Sequence, residues 1–555
     1  MKIFPKLIVL AVLLLLPALA ADTIDIEPKM TGASTATISL VWHLDLQGQQ
    51  ISEMDVKTFG FKNYKYQALI SESTNPVTTT ESDKFNNKIR MFGLTTGNYQ
   101  SFSMDSEVKA EFGFNFQDAT DASQYLKESR YVNITPEIRE KATQIAALHR
   151  TDTQKAVALA QWVHNNIEYD QAYIGAVESS DEVYSARKGT CDEFSHLYIA
   201  MLRAIGIPAK FSASYVYSGK DWGAHAFVEA AIGGKWVPFD PTFNEAIILD
   251  ATHLKFGEGF DQGDIKEDIT IRSIDADVSK IRLSREFEIT FKEVENFPEY
   301  FSMELVLPDK VVGEGSIESI KAKLKNGANT IAVPLSLTVP KEVGIAGESQ
   351  LNEDKLVLLE PFEEKEVEWK IIIPQLDEGY DYKFPVDVSS LGQKASGTIK
   401  AEKEGDVAKE EDLQVTGISS TESGDWVIIK AEVRNTGNVD SEGTISIKLD
   451  GQTEQAKDFA ILANSQEIIE FRIERPKEKE VAGELLIDAK TFTLTQPFSL
   501  NFGVVPSPSE GPAASVTETP TEQPSQLISG IPDGILWVAI GILLAMLVFS
   551  FKPRR

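Results

Sequence analysis

One cysteine occurs among the 555 residues, Cys191, and it follows Gly189 and Thr190 at the head of a run with helical spacing. A thiol at a helix start faces unpaired backbone N–H groups and the positive end of the helix dipole, which favour the thiolate and nucleophilic chemistry. Gly189 would let a substrate come close, and the Cys191 backbone N–H could hold an oxyanion. Asp192 and Glu193, in the same first turn, oppose the thiolate by repulsion. Such a thiol needs an imidazole partner.

His225 and Asp240 supply a candidate pair by arithmetic. Gly233-Gly234 reads as a two-residue hairpin loop between the strands His225 to Ile232 and Lys235 to Phe239. Counting back from that loop pairs Ile232 with Lys235, Phe227 with Asp240 and His225 with Thr242. His225 and Asp240 then share a face as diagonal neighbours, about 7 to 8 Å apart by backbone and within side-chain reach. The opposite face carries Ala226, Val228, Ala230, Ile232, Val237 and Phe239 and is expected to pack. In this arrangement Cys191 attacks a carbonyl, His225 shuttles the proton and Asp240 orients the imidazole.

Four segments in order carry a more specific signal: Gly189-Thr190-Cys191-Asp192-Glu193-Phe194-Ser195, Leu202 to Lys210, His225-Ala226-Phe227-Val228-Glu229, and Trp236-Val237-Pro238-Phe239-Asp240-Pro241-Thr242. Together they resemble the transglutaminase-like superfamily over about 120 residues. The resemblance implies a papain-like α+β core with Cys191 as nucleophile, His225 as base and Asp240 as acid. No cofactor or metal is expected, because the sequence carries no His-Glu-x-x-His, phosphate-binding Gly loop, EF-hand loop or paired cysteines. Phe227 stands where that family commonly has Trp, and Lys210 where it commonly has Arg. The family also uses a second oxyanion donor upstream of the cysteine. Trp162, Tyr169 and Tyr184 are candidates, and no motif selects among them.

These residues need elements to hold them. Apolar positions at helical spacing predict two helices between Pro136 and Ile167, with Thr151 and Asp152 as caps, and a third from Cys191 that Gly206 and Pro208 end. Strand signals surround this unit. The expected fold is multidomain, an α+β transglutaminase-like core flanked by all-β sandwich domains. Its parts are a leader at 1–20, a β-rich domain at 22–130, the catalytic domain at 131–260, a β-sandwich at 268–400, a charged linker at 401–412 and an immunoglobulin-like, adhesion-type sandwich at 413–504. A Pro/Ser/Thr-rich stalk at 505–530, a transmembrane helix at 535–551 and a basic tail at 552–555 follow.

The ends and the composition place the chain. Lys2 and Lys6, the apolar run Leu7 to Leu16 and the small residues up to Ala21 describe a secretory signal. Ile535 to Phe551 carries no charge, and Lys552, Arg554 and Arg555 follow it, as at the cytoplasmic end of a membrane span. The expected location is the cell membrane, crossed once, with the bulk outside. A formal net charge of -30 repels nucleic acid and anionic lipid. The expected partner is an extracellular protein or peptide substrate, and the β-sandwich domains could contact surface proteins or glycans.

His43, His149, His164, His196 and His253 form no metal spacing, and His196 reads as structural. The resulting expectation is a cell-surface cysteine peptidase or amidase working through a thioester. A cross-linking enzyme passing the acyl group to an amine uses the same first step, and a non-catalytic binding module is the third reading.

Overall fold

The computed structural model describes residues 31–501 except 96–100, 273–276, 278–279, 346–353, 409, 450, 477–479 and 492. The expected leader, stalk, 535–551 span and basic tail lie outside the described residues. Among the described residues no helix is long and apolar enough to cross a membrane. The described residues from Thr31 through Arg475, with Ala482–Ser499, form one packed unit.

The helices begin and end where their caps dictate. Helix α1 (Pro136–Ala146) starts on Thr135, whose side chain accepts from the Ile138 N–H, with Pro136 at the first helical position. Helix α2 (Asp152–Asn166) starts on Thr151 in a capping box with Gln154. A short helix α3 (Ser180–Ala186), too brief for its periodicity to announce itself, is followed by α4 (Cys191–Ala204). Phe194, Leu197, Tyr198, Met201 and Leu202 of α4 are buried, each worth about 1.5–3 kcal/mol. Gly206, at φ +86°, takes the left-handed turn that ends the run.

Helix α4 packs on a sheet in the order Glu245–Ala246, Lys235–Asp240, Trp222–Ile232, Ala209–Tyr217, Leu254–Gly259. Gly233 and Gly234, both at positive φ, make the hairpin turn. The ladder pairs Ile232 with Lys235 and continues to Val228 with Phe239, the register counted from the loop. Gln117–Asp118 adds to the outer side of this hairpin, and Tyr125 packs edge-on against Trp236 with centroids 5.3 Å apart. This segment thus packs on the catalytic sheet, inside the range assigned to the first domain.

The N-terminal region is two antiparallel sheets around Trp42, whose ring stacks on Phe102 at 5.1 Å. Here the structure corrects the domain reading. The strands Asp268–Arg272 and Arg282–Asn296, assigned from their alternation to the following sandwich, belong to the first region instead. Arg282–Asn296 pairs with Thr31–Asp45, and Asp268–Arg272 with Glu53–Gly60. Alternation marks a strand but does not name its partner, and these pairings close loops of more than two hundred residues.

The first region also covers the catalytic sheet on its His225 side, expected from the hairpin to be the open, working face. The cover is polar. Tyr66 donates to Glu229 Oε1 at 3.1 Å, Ser212 donates to Glu229 Oε2 at 3.0 Å, and Gln67 exchanges two hydrogen bonds with the Lys255 backbone. Lys210 and Lys255 both bridge Glu229 and Glu258, with Lys210 Nζ 2.8 Å from Glu258 Oε2. Burial opposes the Lys210 charge, yet the two glutamates hold its pKa above the ordinary lysine value.

Residues 301–401 form two four-stranded antiparallel sheets sharing one core, in which Ile320, Trp369, Val333 and Val386 are buried. Residues 413–499 carry a three-stranded and a four-stranded antiparallel sheet, with alternating burial as in Val427, Ile429, Ala431 and Val433.

Candidate active site

Thr190 and Glu193 build the platform for the thiol. Glu193 Oε2 accepts from the Thr190 N–H at 2.8 Å and from its hydroxyl at 2.7 Å, while Oε1 accepts from the Glu178 N–H at 3.0 Å. Glu193 is therefore a cap and a brace, fixed at both oxygens. A Cβ at Gly189 would lie 2.3 Å from Glu193 Cβ. That glycine makes room for the cap, which replaces substrate approach as its reason.

Cys191 is half-buried at the first residue of α4. Burial pushes its thiol well above the usual value and the Asp192 carboxylate adds to this; a hydrogen bond from the Ala226 backbone amide opposes it. Asp192 Oδ1 lies 3.9 Å from the sulfur. Burial, helped by Glu193, raises Asp192 itself to about 7. A thiol held up in this way needs a base beside it to become a nucleophile.

A candidate for that base, His225, lies one residue before Ala226. His225 Nε2 is 2.7 Å from Asp240 Oδ2, and both side chains are buried. Asp240 Oδ1 accepts from the N–H groups of Thr242 at 2.8 Å and Phe243 at 3.2 Å. Burial works against the Asp240 charge, yet His225 first and His253 next hold the group below the usual carboxylate range. An ionised carboxylate only accepts, so His225 donates from Nε2 and its Nδ1 is the basic atom. The Phe243 ring lies nearly parallel to the imidazole at 4.9 Å and fixes its plane. The structure thus brings His225 and Asp240 into direct contact and sets the Cys191 thiol against the neighbouring strand amide.

Of the three aromatic candidates, Tyr169 is the one near the thiol. The strand Glu168–Tyr169 pairs in parallel with Lys188–Gly189, so Tyr169 stands opposite Gly189, two residues before the cysteine. Partial burial raises its phenol, and Cys191, Asp192, Glu193 and Asp240 push in the same direction, so it keeps a proton to donate. Trp162 and Tyr184 stack on each other at 6.0 Å, with the Arg187 guanidinium over both rings. They are committed to packing. His196 is buried between the Glu178 carbonyl at 3.0 Å and the Gln262 N–H at 3.3 Å, a satisfied structural histidine.

One histidine was missed. His253 Nε2 lies 3.0 Å from the same Asp240 Oδ2, and its Nδ1 lies 2.8 Å from the Asp250 carbonyl. Only the return of the chain into the strand Leu254–Gly259, beside Ala209–Tyr217, brings it there, and no local spacing encodes that. The ligand atoms of His225, Asp240 and His253 lie within 4.8 Å of one another, a set that could hold a metal ion. All three are committed to hydrogen bonds, and His253 would have to lose a proton first.

Residues 139–241 match the model of the transglutaminase-like superfamily, whose members are typically cysteine-dependent enzymes. An uncharacterized protein of Mycobacterium leprae is 28% identical over 149 residues, which are 25% of this chain and 52% of that protein. The chain thus spans about half the length of that relative. Among solved structures, a provisionally assigned cysteine protease from Cytophaga hutchinsonii is 21% identical, with a TM-score of 0.38 over 49% of this chain and 94% of that one. Red sea bream transglutaminase is 11% identical, with a TM-score of 0.18 over 85% of this chain and 93% of that one.

Proposed function

We propose that this chain is a cell-surface cysteine peptidase or amidase acting through a thioester, with Cys191, His225 and Asp240 as its triad and an extracellular protein or peptide as its substrate. One observation carries the reading: Asp240 fixes His225 in the tautomer with a basic Nδ1, next to the strand amide that touches the only thiol of the chain. The signal-like start and the apolar run at 535–551 support the location. The antiparallel β units then serve as spacers or contact surfaces.

The chemistry follows the geometry. Cys191 Sγ attacks the carbonyl carbon of the amide while His225 Nδ1 takes the thiol proton. The oxyanion is held by the Cys191 backbone N–H and the Tyr169 hydroxyl. The C–N bond breaks as His225 returns the proton to the leaving amine, and a thioester remains. Water then attacks with His225 as base, the acid leaves and the thiol is restored.

Incubating the purified chain with a protein substrate such as casein tests this. The reading predicts release of peptide fragments or ammonia that disappears in Cys191→Ala. Incorporation of a fluorescent primary amine in place of hydrolysis would assign the chain to cross-linking. Neither product, with substrate retained on the protein, would point to a binding module.

A further inference from the structure

The reaction above uses one histidine on Asp240, and the structure provides two. His253 is fully buried, and each ring nitrogen faces a group that only accepts: Nδ1 the Asp250 backbone carbonyl, Nε2 the ionised Asp240. Two acceptors require two donors, and an imidazole donating from both nitrogens is an imidazolium. Every titratable group packed on the ring is compatible with that state. Asp240 comes from the hairpin, Glu245 from the strand paired with Asp240, Asp250 from the loop before His253, and His225 lies across at 5.3 Å between ring centroids. Phe112, Phe227 and Phe243 close the remaining sides edge-on.

We propose that His253 is a positioning residue, a permanently charged second histidine that holds Asp240 in place and keeps His225 neutral until Cys191 attacks the substrate. The inference rests on the triad reading. Two cations sharing one carboxylate oxygen cannot both be stabilised by it fully, so a charged His253 makes protonation of His225 harder. His225 Nδ1 thereby stays free to take the thiol proton. Its pKa supports the assignment: burial works against the His253 charge, but Asp240 and then Glu245 outweigh this and raise it to about 9. Asp250 anchors the loop that delivers the ring: its Oδ2 accepts from the Thr31 N–H at 2.6 Å and its Oδ1 from the Thr252 N–H at 2.8 Å.

Two measurements on the full chain test the proposal. The first is nitrogen NMR of the protein labelled on its six histidines, at about pH 7.5. The proposal predicts a solvent-protected ring with protons on both nitrogens, and absence of any such ring in the wild type overturns it. This arm needs neither activity nor a variant, so it holds whether or not the triad reading survives. The second is the pH dependence of the nitrophenolate burst from p-nitrophenyl acetate, in wild type and His253→Gln. The acid limb, set by protonation of His225, should move up by about one to two pH units in the variant. A burst in both proteins with the limb unmoved overturns the proposal and leaves the triad intact. No burst in the wild type removes the triad reading, and the NMR result alone then decides the charge of His253.

Discussion

His225 and His253 share a single oxygen, Asp240 Oδ2, at 2.7 and 3.0 Å. Asp240 Oδ1 accepts from the Thr242 and Phe243 N–H groups, and an amide, with one acceptor oxygen, cannot serve these and both rings and so cannot hold the His225 tautomer. Asp240→Asn is therefore expected to lower turnover by roughly 10³- to 10⁴-fold, through loss of the basic Nδ1. Steady-state hydrolysis of an activated ester, beside circular dichroism to confirm folding, checks this. Retention of more than a tenth of wild-type turnover would deny Asp240 its role.

Asp192 raises the Cys191 thiol by charge, and its own pKa of about 7 puts that effect in the neutral range. Asp192→Asn should move the alkylation midpoint of Cys191 by iodoacetamide to lower pH and speed the reaction at neutral pH. A midpoint that stays put would mean that burial alone sets the thiol.

Gly189→Ala would drive a methyl group into Glu193 Cβ at 2.3 Å. The helix cap that carries the nucleophile must then shift, at an expected cost of about 1–3 kcal/mol in denaturant unfolding. Activity should fall further than stability accounts for, because the cap sets the position of the sulfur.

The buried carboxylates and imidazole give stability a distinct pH profile. His253 is raised from 6.5 to about 9, so the folded chain keeps a proton that the unfolded chain loses across this window. Glu245, raised from 4.5 to about 8 mainly by burial, acts in the same direction. Stability should therefore fall as pH rises from about 4.5 to 9, through Glu245 between 4.5 and about 8 and through His253 between 6.5 and about 9. His253→Gln should flatten the upper part of that fall, and Glu245→Gln its lower part. Thermal melts across this range report both.

Glu229 lies between Lys210 and Lys255 under Tyr66. Glu229→Ala leaves two buried ammonium groups with one carboxylate between them, and a loss of about 3–5 kcal/mol is expected in urea unfolding. Because Tyr66 belongs to the N-terminal region, protease sensitivity should rise at its junction with the catalytic sheet.

Much of the site was legible before the fold was. Gly233-Gly234 fixed the register that brings His225 to Asp240, since a two-residue loop leaves the hairpin one count. The Cys191 helix start, the Thr151 cap and the Gly206 stop were equally local. Tyr169 could not be told from Trp162 and Tyr184, because only the parallel pairing with Lys188–Gly189 decides which ring faces the thiol. His253 and the strand Arg282–Asn296 were placed by contacts across long sequence separations, which periodicity does not carry. Nothing in the local sequence announces that Lys210 and Glu229 are buried as a pair. They are cross-strand partners in the catalytic sheet, and another region of the chain closes over them.

The central claim is that Cys191 accepts an acyl group while His225 takes its proton. Acid-quenched peptide mapping after brief exposure to p-nitrophenyl acetate tests it most directly. The account predicts one acetyl group per chain, carried on Cys191 as a thioester, and a rate of acetylation that falls by at least about a hundredfold in His225→Ala. Acetyl groups found only on lysines, or a His225→Ala chain that acetylates Cys191 as fast as the wild type, would contradict it.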